Sequence, residues 1–242
     1  MTSLPETMAP KYPKIINALE RDESSNNRYV LVGEWKLPVF KYLADNHWLF
    51  TEKINGANTR IYWDPEAEIW VCAGRTDAAH TLYLEHATES MRYRLNCVAT
   101  GEETKKLVFY AESYGPKIQK GGVYTDSLDA IVFDILSPNG FLPIQNSMKL
   151  AHEIGIPFVP VIMINTLHRG VGLVRHGFNS RVGKRPTAEG LVAHSVPPLL
   201  NTDYSRVICK LKCRDFRQSS EAISPTPHIP DTARPVPPLE KK

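Results

Sequence analysis

A lysine, an acid and a pair of lysines follow one another along this chain in an order that suits nucleotidyl transfer. Lys53 lies in Thr51-Glu52-Lys53-Ile54-Asn55-Gly56-Ala57-Asn58, three residues ahead of a glycine. Far downstream come Glu189-Gly190-Leu191-Val192 and Lys210-Leu211-Lys212. An uncharged lysine amine can attack a nucleoside triphosphate and keep the nucleotide as a phosphoramide. Free lysine titrates near ~10.4, so only about 0.04% is uncharged at pH 7, and each unit of downward shift gives about tenfold more nucleophile. Burial and neighbouring cations both lower a lysine pKa. In a strand, Lys210 and Lys212 share one face while Leu211 takes the other. Both lysines can then crowd the amine and hold phosphates as point charges.

A triphosphate travels with a divalent metal, and magnesium prefers oxygen ligands in the company of phosphates. Glu189 is the leading acid for that ion. Glu112 closes a strand-like run and offers acceptors for ribose hydroxyls, and Phe133 offers a ring for stacking on a base. Gly56 is expected to let the chain turn tightly after the nucleophile, and Gly190 to permit close backbone approach. Each short motif is weak alone, since a chain of this length holds roughly one Lys-x-x-Gly by chance. Their order and number carry the argument.

The elements that must position these residues are legible in outline. Strand-like runs rich in β-branched and aromatic residues are predicted at Trp48–Ile54, Thr59–Trp63, Ile69–Cys72, Leu107–Glu112, Ala130–Leu136 and Val207–Lys212. Leu84, Ala87, Met91 and Leu95 recur at helical spacing, and a second helix is expected from Ser147 to Ile154 with Asn146 as its cap. Strands come first and helices fall between later ones, which favours an α+β fold with antiparallel sheets. Residues 1–27 are polar and broken by Pro5, Pro10 and Pro13, so they read as a flexible start with one short helix around Ile15–Arg21. The domain proper is expected over 28–218. From 219 to 242 the composition turns Pro-rich, as in a disordered tail.

Bulk composition excludes some classes. With 42% hydrophobic and 23% charged residues, the 242-residue chain is ordinary for a globular protein. A net charge of +3 permits nucleic-acid binding without demanding it. The cysteines Cys72, Cys97, Cys209 and Cys213 show no CxxC spacing, so neither zinc nor a disulfide framework is signalled. No signal peptide opens the chain, and no apolar run approaches the roughly 20 residues of a membrane helix. A cytoplasmic protein without a membrane partner is expected, in the host cytoplasm if the chain is viral.

Taken together, the motifs resemble those of ATP-dependent RNA ligases of the nick-sealing kind, the T4 RNA ligase 2-like family within the covalent nucleotidyltransferases. The likeness rests on Glu52-Lys53-Ile54-Asn55-Gly56-Ala57-Asn58, Cys72-Ala73-Gly74-Arg75-Thr76, Ala111-Glu112 with Gly115-Pro116 and Gln119-Lys120, Val132-Phe133-Asp134-Ile135, Ala188-Glu189-Gly190-Leu191-Val192 and Ile208-Cys209-Lys210-Leu211-Lys212. The resemblance implies two antiparallel sheets flanked by helices, with ATP between them and magnesium or manganese as the metal. It implies that Lys53 is adenylylated, that AMP passes to an RNA 5′-phosphate, and that a 3′-hydroxyl displaces it. By the same resemblance Glu52 contacts adenine beside Ile54, Asn58 and Arg75 serve the phosphates or the RNA end, Glu112 holds the ribose and Phe133 stacks on adenine. Glu189 acts with the metal, and Lys210 and Lys212 bind the α-phosphate and steady the transition state.

The sequence also departs from that pattern. Asn55 stands where relatives often carry Asp or His, and His194 stands near where they carry a cation. Only 26 residues follow Phe216, so a partner protein is a candidate source of what a C-terminal domain supplies in relatives. Arg169, Arg175, Arg181, Lys184 and Arg185 form a basic stretch that either meets RNA phosphates or is a solvated loop. Two other readings stay open: a DNA ligase or GTP-using capping-type enzyme of the same chemistry, and a non-catalytic RNA-binding module on the same fold. The substrate in the leading reading is RNA ends or a nicked duplex.

Overall fold

The computed structural model describes residues 9–76, 82–99 and 101–216. Two five-stranded sheets make up its frame. The first has the order β1 (Ile16–Asn17), β12 (Ile208–Lys212), β11 (Gly190–Ser195), β4 (Trp48–Lys53), β10 (Val161–Asn165). The second runs β6 (Ile69–Gly74), β5 (Ala57–Asp64), β7 (Val108–Tyr114), β8 (Asp129–Ser137), β9 (Gly140–Phe141). A small ribbon pairs β2 (Leu19–Arg21) with β3 (Val30–Trp35). The mixed α+β architecture is the one expected.

Each sheet buries its outer face under helices. Behind the first lie α1 (Pro38–Tyr42) and α5 (Leu167–His176), and Trp48, Phe50, Leu191 and Leu211 meet Leu167, Val171 and Val174 there. Gly170 lets α5 come close, because a Cβ at that position would run into the Phe50 ring. Behind the second lie α2 (Leu82–Val98) and α4 (Ile144–Ile154), which pack Leu84, Met91, Leu95 and Ala151 on Ile61, Phe109 and Val132. A short α3 (Glu102–Lys105) leads into β7. β4 is buried over most of its length, its apolar Trp48-Leu49-Phe50 leading into the polar Thr51-Glu52-Lys53. The chain crosses between sheets at 54–56, from β4 into β5, and again at 157–160. There the Val132 N–H donates to the Pro157 carbonyl and the Val132 carbonyl accepts from the Val159 N–H, while the Glu52 N–H donates to the Pro160 carbonyl at 2.9 Å. These crossings hold the two inner faces at the distance that leaves a pocket.

Four expectations need correction. No helix forms at Ile15–Arg21: the segment makes β1 and β2, and β1 adds the one parallel pair to an otherwise antiparallel sheet, with Ile16 opposite Cys209 and Asn17 opposite Lys210. The described part of the supposedly flexible start is therefore built in. Ala18 and Leu19 are buried in the first core, and backbone bonds to them replace any need for helical periodicity. The second helix begins at Ile144, not Ser147. Pro143 precedes it, and its carbonyl takes the N–H groups of Asn146 and Ser147, so Asn146 lies inside the first turn rather than capping it. Its far end is stopped by Gly155 at φ 77°, as expected of a left-handed cap. The basic stretch is not one loop: its first part is α5, capped by Thr166. The Pro-rich tail at 219–242 lies outside the described residues.

Candidate active site

Three backbone pairings place the lysines. Gly190 of β11 sits opposite Lys53 on β4 and opposite Lys212 on β12. Val192 likewise stands between Thr51 and Lys210. Lys53 and Lys212 thus flank the start of β11 from either side, two pairing-rows along from Lys210 and on its face of the sheet. Glu189, the residue just before the strand, reaches between them. Lys53 Nζ donates to Glu189 Oε2 at 2.7 Å, and Lys212 Nζ lies 3.4 Å from Oε1. Lys53 Nζ also approaches the Ile54 carbonyl at 3.4 Å. Gly190 makes the close packing possible, since a Cβ there would strike the Leu211 carbonyl.

The second sheet supplies the other wall. Glu112 of β7 accepts from the Gly56 N–H at 3.1 Å. Gly56 lies at the bend between β4 and β5, as expected, but without a positive φ, so close packing rather than backbone freedom is what calls for glycine there. A Cβ at 56 would strike the Ser113 carbonyl and crowd Glu112 Cγ at 3.0 Å. Glycine is needed so that the segment after Lys53 can lie against β7. Burial pushes the Glu112 carboxyl up to about 7; Glu189 adds to the shift, while Lys53, the Gly56 N–H and Lys212 oppose it. Burial, Lys212, Lys53 and Lys14 together lower Lys210 to about 8, against the opposing pull of Glu189.

Between the sheets lies a cavity of about 390 Å³. Of the predicted residues, Glu52, Lys53, Ile54, Asn58, Arg75, Glu112, Phe133, Lys210 and Lys212 all line it. Glu189 adjoins it through its two lysines. On the cavity wall, two buried acceptors find no partner among the described residues: Glu52 Oε1 and Asn58 Oδ1. The other Glu52 oxygen accepts from the Arg181 N–H at 2.8 Å. Burial raises the Glu52 carboxyl, and the Ser180 hydroxyl and Arg181 oppose that only in part. Orphaned buried acceptors are expensive in a native interior. In a cavity they mark places where a ligand brings donors. Phe133 is half-buried and meets the Tyr12 ring edge-on at 5.0 Å, leaving its ring against the cavity. Arg75 follows the end of β6 and is exposed at the rim.

The donor set fits a metal only in company with phosphate. Among the described residues no cluster of three or more His, Cys, Asp or Glu side chains is able to hold an ion by itself. A carboxylate with a polyphosphate is the usual magnesium environment, and Glu189 is a carboxylate placed between Lys53 and Lys212.

Some residues escaped the sequence reading. Tyr12, Pro13, Lys14 and Ile15 form one wall of the cavity, and Gln119 another part. The Lys-Tyr-Pro-Lys run at 11–14 carries no periodic signal, so nothing in it advertised a site. His194 lines the same cavity. Burial, with Arg206 adding, lowers it to about 3, so it is neutral and supplies no cation. Asp134 does not face the ligand space. It is fully buried, accepts from the Tyr12 hydroxyl at 2.7 Å and pairs with Arg206 at 2.7 Å. The basic residues divide. Arg169 and Arg175 belong to α5, which covers Phe50 and Leu211 on the sheet face opposite Lys210 and Lys212. Arg181, Lys184 and Arg185 are exposed in the following loop, which touches the cavity wall through Glu52 and is also bonded to the Tyr124 carbonyl.

Two facing sheets with a lysine, an acid and a lysine pair in the cleft define the nucleotidyltransferase class of fold. The RNA ligase family profile matches residues 46–212. The chain belongs to the RNA ligase family, a family of covalent nucleotidyltransferases. Among solved structures it is similar to a Naegleria gruberi RNA ligase mutant with ATP and Mn, at 16% identity and a TM-score of 0.58, covering 86% of this chain and 57% of that one. It is also similar to an archaeal ATP-dependent RNA ligase, at 19% identity and a TM-score of 0.56, covering 83% of this chain and 48% of the other. The chain therefore spans about half of the length of these structures. At such identities the likeness shows the fold. No curated protein matches the chain. Among the described residues no helix is long and apolar enough to cross a membrane.

Proposed function

We propose that this chain joins RNA ends with ATP, as a ligase of the nick-sealing kind, through a lysyl-adenylate on Lys53 and an RNA-adenylate. The observation that carries the reading is the meeting of Lys53, Glu189, Lys210 and Lys212 at one end of a cavity whose orphaned acceptors await a ligand. A carboxylate needs no second lysine for stability alone, and a mere binder needs no buried lysine–acid pair at a glycine-packed turn.

In this reading Lys53 Nζ attacks the α-phosphorus of ATP. A P–N bond forms and the P–O bond to pyrophosphate breaks. The ammonium proton must leave before attack, and Glu189 is the acceptor in contact with it. Lys210 and Lys212 face the phosphate and offset the charge that develops on its oxygens. AMP then passes to an RNA 5′-phosphate, freeing the lysine. A 3′-hydroxyl attacks that 5′-phosphate and AMP departs. Glu189 would hold magnesium or manganese together with the phosphates, and the ion would supply charge neutralisation and orientation there.

Glu52 Oε1 is a buried acceptor able to take a hydrogen bond from the exocyclic amine of adenine, the base that the ATP-dependent reading calls for. Asn58 Oδ1 is the second acceptor seeking a donor, Phe133 offers the stacking ring and Ile54 an apolar floor, and Glu112 accepts from the ribose. Arg75 at the rim is assigned to the phosphates or the RNA end, and Arg181, Lys184 and Arg185 to the RNA backbone.

Intact-protein mass after incubation with ATP and magnesium tests the reading. A gain of one adenylyl group, absent in Lys53→Ala, is expected, as is sealing of a nicked RNA. Labelling by GTP alone, or no covalent adduct at all, overturns it.

A further inference from the structure

The segment from Ala9 to Asn17 spans the gap between the sheets like a strap, and it is fastened at both ends. The Ala9 carbonyl accepts from the Arg60 guanidinium, and the Pro10 carbonyl from the Tyr110 hydroxyl at 2.8 Å. The Tyr12 hydroxyl donates to Asp134 at 2.7 Å. Ile16 and Asn17 then pair with β12 beside Cys209 and Lys210. Lys14 lies between the last two anchors, so its backbone is held from either side. Its side chain is exposed and lines the outer part of the cavity. Among the described residues it forms no ion pair.

The charge around it is lopsided. Lys14, Lys53, Lys210, Lys212 and Arg75 line one cavity against Glu52 and Glu112, whose carboxyls burial raises toward the neutral form, and Glu189 is already shared by Lys53 and Lys212. Lys14 is close enough to Lys210 to contribute to the lowering of its pKa. A pinned cation beside other cations is unfavourable unless an anion visits. A phosphoramide monoanion has Lys210 and Lys212 to receive it. A triphosphate carries further charge on its outer phosphates. With the base at the buried Glu52, those phosphates point outward to the rim where Lys14 stands.

We propose that Lys14 binds the outer phosphates of the triphosphate and neutralises the pyrophosphate as it leaves. This deepens the ATP-dependent reading and rests on it. When the bond between the α-phosphorus and the bridging oxygen breaks, its electron pair goes to pyrophosphate, and the Lys14 ammonium faces that new charge. After pyrophosphate departs, Lys14 has no further part in joining the strands.

The two stages can be assayed separately. Single-turnover formation of the Lys53 adduct is followed against ATP concentration for the wild type, Lys14→Ala, Lys14→Arg and Lys11→Ala. Lys11 sits on the same strap and does not line the cavity, so its variant controls for strap charge in general. Sealing of a nick carrying a preformed 5′-adenylate, without ATP, is measured in parallel. Lys14→Ala is expected to lower the apparent second-order rate of adduct formation about tenfold, the scale of one phosphate-directed cation. Lys14→Arg should recover most of it, Lys11→Ala should match the wild type, and sealing of the preformed adenylate should be unchanged. Equal losses in both assays, or no loss in the first, overturn the proposal. A wild type that forms no adduct overturns the parent reading as well, and is recognised without any variant.

Discussion

Two carboxylates sit with cations in the gap between the sheets, and they differ in how completely they are satisfied. Asp134 is wholly buried, and its partners are all in place: Tyr12 and Arg206 at 2.7 Å each, and the Ile135 N–H at 3.1 Å. Burial pushes its carboxyl up, and Arg206 and Tyr12 pull it back. Arg206 in turn lies over the Phe141 ring at 3.7 Å. Glu189 has more cations around it than it can neutralise, and the neighbouring Glu52 and Asn58 keep acceptors without partners. A saturated cluster ties elements together. An unsaturated one of surplus charge and open acceptors waits for a ligand. Chemical type alone does not separate the two, since Phe133-Asp134 and Glu189-Gly190 look equally suited to a site in the sequence.

The largest expected contrast comes from removing one acid from each cluster. Glu189→Gln should abolish the adenylate measured by intact mass and lower the denaturant midpoint less than Asp134→Ala does, because the amide still fills the space and Lys53 and Lys212 open onto the cavity. Asp134→Ala should do the reverse at its origin. It strands the mostly buried Arg206 and the Tyr12 hydroxyl, and breaking a buried pair in this way costs about 3 kcal/mol in a urea titration. If Asp134→Ala unfolds no more easily than Glu189→Gln, the distinction fails.

A packing change comes next. Gly56→Ala places a methyl group against the Ser113 carbonyl and Glu112. Overpacking of this kind costs about 2 kcal/mol, and the displaced Lys53 should form adduct at least roughly tenfold more slowly. Full activity in Gly56→Ala would mean that the nucleophile segment need not touch β7.

The pH dependence of stability sharpens the picture of Glu112. Its carboxyl is raised to about 7 in the folded protein, above an unfolded value of ~4.3. Between those values the folded state binds more protons than the unfolded one, so stability should fall as pH rises from about 4.3 to 7. The group keeps some surface in the cavity, so screening limits the loss to roughly 2 kcal/mol. Glu112→Gln should flatten that slope in thermal melts, and a slope identical to the wild type would remove Glu112 as its source.

The smallest effects belong to the basic loop. Arg181→Ala or Lys184→Ala should reduce the salt dependence of RNA binding by about one unit of slope each. Arg175→Ala, on the far face of the sheet, should leave it unchanged. Equal effects from all would return the basic stretch to a single diffuse patch.

Much of the site could be read from the sequence because strand alternation converts spacing into geometry. Lys210 and Lys212 had to share a face, and the strand expected at Trp48–Ile54 is β4, which ends one residue earlier, at Lys53. The described part of the N-terminal segment was not legible. Pro10, Pro13 and its polar neighbours resemble a loose tail, and what holds them is distant: Arg60, Tyr110, Asp134 and a strand nearly 200 residues away in the chain, at Cys209 and Lys210. α5 was obscured for a different reason. Its arginines drew the eye, while Leu167, Val171 and Val174 carried the helical stripe with a glycine inside it. The unpartnered acceptors of Glu52 and Asn58 have no sequence signature, because they arise only when the two sheets face each other.

The parallel pairing of β1 with β12 bears on how a shortened version should be cut. A fragment begun at residue 28, the boundary that composition suggests, would leave the lysine-bearing strand with a bare outer edge and no strap over the cleft. Such an edge invites pairing with other chains. A minimal soluble version should therefore retain everything from Ala9 onward, and clipping by a protease before Ile16 should silence ATP chemistry before it unravels either core.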